Sequence, residues 1–139
     1  MNGINVGGLI GTGNGVGAVV RGYIRALRAL GIPLALKDVS EPSNGGVRAN
    51  TPSAAAADLP YDVNLMCGDV DVYAAMRAHL GEERYNKCYN IGVWNWELAR
   101  FPEKWYDRFA YYDEIWVTSS FTANALATVS PLPDRKSVV

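Results

Sequence analysis

A glycine-rich run between an apolar segment and an amphipathic segment constrains the fold more than any other feature of this chain. Residues 4–10 (INVGGLI) form a short apolar stretch typical of a buried strand, and six glycines lie between Gly7 and Gly17. From Val16 to Leu30, apolar residues recur at i, i+3, i+4 and i+7, which predicts a helix with one buried face. The chain therefore opens with a strand, a glycine loop and a helix.

The end of this helix and the start of a second strand are marked by two residues. Gly31 suits the helix C-cap, and Pro33 cannot continue the helix. Residues 33–39 (PLALKDV) then predict a second strand. A strand, a helix and a strand within about 35 residues form a βαβ unit, which implies parallel pairing through a right-handed crossover.

The remainder of the chain repeats this alternation. Further strands are predicted at residues 62–67, 88–94 and 114–118, and further helices at residues 70–80, 102–112 and 119–129. Residues 40–60 interrupt the pattern with three prolines and a Gly-Gly pair, so we expect a flexible surface loop there. Five strands predict a single doubly wound, Rossmann-like α/β domain with a parallel sheet over residues 1–139. The chain ends where a sixth strand would begin, which indicates a truncated domain with that strand unformed.

Composition excludes several classes of protein. An apolar fraction of 49% and a charged fraction of 19% describe a globular domain, and a net charge of −1 with dispersed basic residues excludes a nucleic-acid-binding footprint. The first residues lack the basic leader and apolar block of a signal peptide, so we expect a cytoplasmic location, with Cys67 and Cys88 as buried reduced thiols. His79 and the cysteines have no metal-ligand spacing, so no metal site is predicted.

The glycine-rich loop is the first candidate binding site, because ligands of open parallel sheets bind beyond the carboxyl ends of the strands. Backbone N–H groups at the start of a helix favour an anion through hydrogen bonding and the helix dipole. We therefore predict a phosphate site at Gly13, Asn14, Gly15, Val16 and Gly17. The alternative is a tight turn that serves only close packing of the helix on the sheet.

The same glycines also match a dinucleotide fingerprint. Gly13 to Ala18 read G-x-G-x-x-A, and Asp38 ends the second predicted strand 25 residues after Gly13. In NAD-dependent enzymes an acidic residue at this position binds the ribose hydroxyls. An NAD(P)-binding domain of an oxidoreductase is therefore an alternative function.

A second candidate site follows the fourth predicted strand, where the sequence reads Trp94-Asn95-Trp96-Glu97. Aromatic rings stack on the apolar face of a sugar, and carboxylates and amides bind its hydroxyl groups. Glu97 is the candidate for a chemical role, either holding an acceptor hydroxyl or accepting its proton. The alternatives are packing of Trp94 and Trp96 in the core and a surface or capping role for Glu97.

Two motifs give the chain a resemblance to a known family. The stretch W-N-W-E-L-x-x-F-P-x-x-W from Trp94 to Trp105, followed by D-E-I-W-V-T-S-S-F-T-A-N-A-L, resembles the amino-terminal domain of bacterial group 1 (family 4) glycosyltransferases. The opening glycine loop and the helix ending R-x-x-x-R-A-L-x-x-x-G-I-P are similar too. The resemblance covers residues 4–132, except the loop at residues 40–60.

The resemblance implies a transferase that moves a sugar from a nucleotide-sugar donor to a glycan or lipid-linked acceptor in cell-surface polysaccharide synthesis. It implies one half of a GT-B architecture, in which two Rossmann-like domains face each other across a cleft. Transfer would retain the anomeric configuration and use neither a metal nor a further cofactor, with residues 13–17 facing the donor diphosphate. The acceptor side would be lined by Asp69, Trp94, Asn95, Trp96, Glu97, Ser119 and Ser120.

The carboxy-terminal domain of this family grips the nucleotide sugar and supplies a paired-glutamate motif, and residues 1–139 hold no counterpart of it. The resemblance therefore implies that the chain alone is catalytically incomplete. Its implied partners are a nucleotide sugar, a glycan acceptor and a donor-binding domain, and peripheral association with the inner membrane is compatible with them. A non-catalytic fragment is a third hypothesis. Because a face made for a second domain would be exposed, we expect self-association or modest stability.

Overall fold

A computed structural model describes residues 2–11, 13, 15–39, 58–68, 70–94, 102–117, 119–127 and 134–136. Within these ranges the strands are β1 (Ile4–Gly8), β2 (Leu34–Asp38), β3 (Val63–Gly68), β4 (Tyr89–Trp94), β5 (Glu114–Val117) and β6 (Asp134–Lys136). The helices are α1 (Gly15–Ala29), α2 (Val72–Leu80), α3 (Glu82–Lys87) and α4 (Ser120–Ala127). A 3₁₀ helix, Glu103–Tyr111, lies between β4 and β5.

The six strands form one parallel sheet in the order β2-β1-β3-β4-β5-β6. The chain moves from β1 to β2 on one side, returns to β3 on the other side, and then continues outward to β6. Strand order therefore reverses between β1 and β3, and such a switch point leaves a crevice at the carboxyl ends of the two strands. The α/β class predicted from the sequence is confirmed, and the parallel sheet is consistent with a Rossmann-like fold.

Three elements differ from the sequence prediction. Helix α3 lies where no element was predicted, because its six residues are too few to show an apolar period. The helix predicted at residues 102–112 is a 3₁₀ helix. The last strand was expected to be unformed, and this is wrong, since β6 pairs with β5. Residues 40–57 of the predicted loop lie outside the described residues, and Leu59, just after them, is buried.

The end of α1 shows how a local sequence signal sets an element boundary. Gly31 has a φ of 75°, and its N–H donates to the carbonyl oxygen of Arg28 at 2.9 Å. The N–H of Ile32 donates to the carbonyl oxygen of Leu27 at 3.1 Å. These two bonds form a Schellman motif, which satisfies carbonyl groups that the last helical turn leaves unpaired. The C-cap predicted at Gly31 is confirmed.

Apolar side chains fill both faces of the sheet, because strand residues alternate between the faces. On the face covered by α1, the buried apolar residues include Val6, Leu36, Leu65, Cys67, Ile91 and Val93 from the strands and Val20 and Ile24 from the helix. On the opposite face they include Met66, Trp94, Ile115 and Val117 from the strands and Met76, Tyr85, Phe109 and Leu126 from other elements. A membrane crossing would need a longer and more apolar helix than any in the described ranges.

Both cysteines are buried and form no disulfide, as the sequence predicted. Burial raises the pKa of the Cys67 thiol to about 12, because the apolar surroundings disfavour a thiolate. Burial also raises the pKa of the Cys88 thiol, while the nearby Arg84 opposes that shift. Neither thiol has the exposed, electropositive surroundings of a reactive cysteine. The cysteines therefore act as small core residues.

A ladder of buried asparagines links three strands near their amino ends. Asn5, Asn64 and Asn90 occupy facing positions on β1, β3 and β4 and are buried. The Nδ2 of Asn5 donates to the Oδ1 of Asn64, and the Nδ2 of Asn64 donates to the Oδ1 of Asn90, both at 2.8 Å. At the two ends, Asn5 and Asn90 donate to the carbonyl oxygens of Tyr61 (2.8 Å) and Tyr85 (3.1 Å). Because a shift of one strand by one residue would leave buried amides without partners, the ladder fixes the register of the sheet.

Candidate functional site

The carboxyl edge of the sheet, where β1, β3, β4 and β5 end, carries the residues with predicted functions. Gly8 at the end of β1 pairs in register with Asp38 of β2 and with Cys67 of β3. Gly68 of β3 pairs with Trp94 of β4. β1 and β4 are two strand spacings apart, which is about 10 Å. The glycine-rich loop and the segment after β4 therefore begin at the same edge, on either side of β3.

The glycine-rich loop leads from the end of β1 into the first turn of α1. Gly13 is exposed in the loop, Gly15 is exposed as the first residue of α1, and Gly17 is buried two residues later. Asn14 and the side chain of Val16 lie outside the described residues. α1 is 15 residues long and carries no acidic residue in its first turn. Since the first-turn N–H groups of a helix lack intrahelical partners, this end of α1 favours an anion.

Arg21 connects the loop to the helix. Its Nη1 donates to the carbonyl oxygen of Ile10 at 2.9 Å, so the guanidinium holds the loop against the second turn of α1. Arg25 and Arg28, which lie further along the helix, are exposed. Arg21 therefore places a positive charge within two turns of the exposed glycines, and that charge adds to the attraction for an anion.

The glycines of this region divide into two groups with different physical requirements. A Cβ on Gly8 would lie 2.7 Å from the carbonyl oxygen of Cys67, and a Cβ on Gly7 would overlap the side chain of Met76. These two glycines allow α1 and α2 to pack closely on opposite faces of the sheet. A Cβ on Gly15 would meet no atom within 4 Å, and the φ of Gly15 is not positive. Packing therefore accounts for Gly7 and Gly8 but not for Gly15.

Trp94 is a core residue, so its predicted role in acceptor binding is wrong. Only 1% of its surface is exposed. The centre of its ring lies 5.1 Å from that of Phe109 and 5.2 Å from that of Tyr112, and the Tyr112 contact is edge-on. Gly92 makes room for this packing, because a Cβ there would lie 2.7 Å from the Nε1 of Trp94 and from the Cε1 of Tyr112. The packing alternative is the correct one for Trp94.

Four other predicted site residues lie outside the described residues: Asp69, Asn95, Trp96 and Glu97. The catalytic role of Glu97 and the acceptor-binding roles of the other three therefore stay predictions. The residues that precede them in the chain, Gly68 and Trp94, end adjacent strands and pair with each other. These two segments thus leave the sheet from neighbouring positions at the carboxyl edge.

Ser119 and Ser120 lie at the start of α4, after the end of β5. The Oγ of Ser119 accepts a bond from the N–H of Thr122 at 3.1 Å and lies 3.0 Å from its hydroxyl, so Ser119 caps the helix. Ser119 and Ser120 are both exposed, and the acceptor-binding roles predicted for them stay predictions. Phe121 and Asn124 are also exposed, and sequence reasoning missed both. Sequence offers no signal for them, since a phenylalanine within a helix is normally taken as a core residue.

A groove of about 690 Å³ lies at the opposite, amino edge of the sheet and is lined in part by Gly3, Pro33, Pro60 and Tyr61. No predicted site residue lines it. Beside it, Arg84 donates to the carboxylate of Asp62 and to the carbonyl oxygens of Pro60 and Tyr61, so this cation serves the fold. Because ligands of open α/β sheets bind at the carboxyl edge, the groove is not the candidate site.

Comparisons with protein-family models, with curated proteins and with solved structures give no match to this chain. Within the described ranges, no three His, Cys, Asp or Glu side chains gather as the ligands of a metal would. The candidate function therefore depends on the residues and geometry of the carboxyl edge.

Proposed function

We propose that this chain is the acceptor-side domain of a retaining, GT-B-type glycosyltransferase. It would act in the cytoplasm and transfer a sugar from a nucleotide-sugar donor to a glycan or lipid-linked acceptor in cell-surface polysaccharide synthesis. The observation that carries the proposal is the exposed N-terminus of α1 at the switch point between β1 and β3, with Gly13 and Gly15 open to solvent. A diphosphate is the part of the donor that this arrangement fits best.

Three properties of the loop favour a diphosphate. The first-turn N–H groups of a helix have no carbonyl partner within the helix, and the helix dipole adds positive potential at the same place. The open space at Gly15 lets a ligand approach the backbone closely. No carboxylate in the first turn repels the anion, and Arg21 lies nearby. Since backbone groups supply the contacts, a second domain would select the nucleotide.

In this proposal the acceptor lies beyond the ends of β4 and β5. Glu97 holds the acceptor hydroxyl or accepts its proton, while Asp69, Asn95 and Trp96 contact the acceptor. Trp94 supports this segment from the core instead of binding sugar. The support is the motif of residues 94–105 together with the position of Trp94 at the same edge as the glycine loop.

One observation favours the alternative, a dinucleotide-binding domain of an oxidoreductase. Asp38 is exposed at the end of β2 and pairs in register with Gly8, next to the loop. The spacing of the loop opposes this alternative. β1 ends at Gly8, so the G-x-G-x-x-A run starts five residues later, at Gly13, and α1 begins at its second glycine. The dinucleotide fingerprint instead follows its strand immediately.

A titration followed by amide chemical shifts tests the proposal on the ¹⁵N-labelled chain. We expect UDP-glucose, GDP-mannose and inorganic pyrophosphate all to shift the amides of residues 11–17, because all three carry a diphosphate. NAD⁺ also carries one, so its discriminating contact is the ribose at Asp38. We expect Asp38→Ala to leave the response to every one of these ligands unchanged, as should Asp58→Ala, which removes another exposed carboxylate.

Two results would contradict the transferase proposal. Saturable thermal stabilisation by NAD⁺ that disappears in Asp38→Ala and persists in Asp58→Ala would establish the dinucleotide-binding alternative. A loop that responds to none of the diphosphates would remove the observation on which the transferase proposal depends.

A further inference from the structure

Helix α4 presents an exposed stripe without charge at the carboxyl edge. Ser120, Phe121 and Asn124 are exposed, whereas Thr122, Ala123, Ala125 and Leu126 are buried. Phe121 is 54% exposed, although phenylalanine is usually buried. Asn124 follows Ser120 by four residues and Phe121 by three, so its side chain lies next to both of theirs on the helix surface. We call these three residues the Phe121 stripe.

Helices α1 and α3 expose charged side chains, as a solvated helical face normally does. In α1 these are Arg25 and Arg28, and in α3 Glu83 and Lys87 form an ion pair at 2.9 Å. The sequence of α4, S-F-T-A-N-A-L-A, contains no charged residue. A ring, an amide and a hydroxyl without a neighbouring charge on the helix match the chemistry of an uncharged polyhydroxyl ligand.

We propose that the Phe121 stripe is a subsite for a neutral sugar residue of the glycosyl acceptor. The ring of Phe121 stacks on the apolar face of the sugar, and the side-chain amide of Asn124 donates to one hydroxyl and accepts from another. Ser120 supplies a further hydroxyl donor and acceptor. That this sugar belongs to the acceptor rests on the proposed function, whereas sugar binding by the stripe is testable without it.

The position of the stripe defines which part of the acceptor it contacts. α4 starts after β5, and β5 is three strand spacings from β1, which is about 14 Å. The glycine loop and the stripe therefore lie at one edge but are too far apart to touch the same sugar ring. The stripe would hold a sugar residue remote from the reacting hydroxyl and would contribute to affinity for an extended acceptor.

A protein surface is the other occupant to consider for an exposed aromatic residue. A stable protein interface buries about 800 Å² on each partner around an apolar centre. On α4 the exposed stripe has a single large apolar side chain between two small polar ones. This composition favours a small polyhydroxyl ligand over a protein partner.

The test uses the ¹⁵N-labelled chain and three neutral disaccharides, maltose, cellobiose and lactose, at millimolar concentration. We expect at least one of them to shift the amides of residues 119–126. Phe121→Ala should weaken that binding about tenfold, while Phe121→Trp, which keeps a stacking surface, should retain it. Tyr106→Ala and Leu30→Ala remove other exposed large side chains and should leave binding unchanged. Well-dispersed amide spectra show that each variant is folded.

Three outcomes would overturn the proposal. One is that no disaccharide perturbs α4. Another is that Phe121→Ala binds as tightly as the wild type. A third is concentration-dependent shifts of α4 amides without sugar that vanish in Phe121→Ala, which would assign the stripe to contacts between copies. Failure of the proposed function is read elsewhere, from Asp38-dependent NAD⁺ binding at the glycine loop, so the two failures are distinguishable.

Discussion

The amino and carboxyl edges of the sheet are built from the same strands but differ in how much of their surface is open to solvent. At the amino edge, hydrogen bonds link Asn5 to Asn64 and Asn64 to Asn90. Arg84 donates a further hydrogen bond to the carbonyl oxygen of Tyr61, which precedes β3. At the carboxyl edge, Gly13 and Gly15 are exposed and α4 presents an uncharged stripe.

This difference separates stability from function within one small domain. Groups at the amino edge have their hydrogen bonds satisfied inside the protein, so they hold the strands in register and leave little for a ligand to use. At the carboxyl edge, Ser120 and Asn124 are exposed, so a ligand can reach their polar groups. Substitutions at the amino edge should therefore act on folding, and substitutions at the carboxyl edge should act on binding.

The largest effect is expected for Asn64→Ala, at the centre of the ladder. The substitution removes the acceptor for Asn5 and the donor for Asn90 while both partners stay buried. We expect the free energy of unfolding to fall by about 3–5 kcal/mol, measured by urea denaturation. The control is Asn86→Ala on α3, where the asparagine is exposed and the change should stay within about 0.5 kcal/mol. A loss below about 1 kcal/mol for Asn64→Ala would mean that the ladder does not hold the amino edge.

Gly8→Ala tests whether the last residue of β1 is closely packed, in contrast to the exposed glycines that follow it. The new Cβ would lie 2.7 Å from the carbonyl oxygen of Cys67 and 3.1 Å from the Cγ2 of Val20. A backbone atom in a sheet cannot move aside, so overpacking should cost about 2–3 kcal/mol of unfolding free energy. Urea denaturation measures this, with Gly15→Ala as the matched change at an open position. Equal stability of the two variants would contradict the division of the glycines into packing and exposed groups.

The sequence predicts the strands and helices of this domain better than it predicts which large side chains are buried and which are exposed. β1, α1 and β2 follow from apolar periodicity and from Gly31 and Pro33, which act locally. The burial of Trp94 depends on Gly92, Phe109 and Tyr112, which come together only in the folded sheet. The exposure of Phe121 depends equally on tertiary packing, because the apolar residues of α4 are spread around the helix and do not show which face meets the core.

The pH dependence of stability tests whether the core around Cys67 excludes water. Burial raises the pKa of Cys67 from its ordinary value near 9 to about 12, so above pH 9 the unfolded chain loses this proton before the folded chain does. The free energy of unfolding should therefore fall as pH rises, by about 1 kcal/mol per pH unit from this group. Between pH 9 and 10 the decline should be less steep in Cys67→Ala. Parallel stability profiles for the two proteins would show that water reaches this thiol.

The smallest effect on stability, and the most informative about function, is expected for Gly15→Ala. Its Cβ meets no atom within 4 Å, and alanine has a higher helix propensity than glycine, so the variant should be more stable by about 0.5 kcal/mol. Gly22→Ala is the matched control within α1, because a Cβ there also meets no atom within 4 Å and the gain should be similar. If the loop receives a diphosphate, the methyl group of Gly15→Ala blocks its approach and weakens the amide shifts caused by pyrophosphate, whereas Gly22→Ala binds as the wild type does. Unchanged pyrophosphate binding in both variants would leave the glycine at position 15 without a functional reason. A stabilised helix that loses its ligand is the result that packing alone cannot produce.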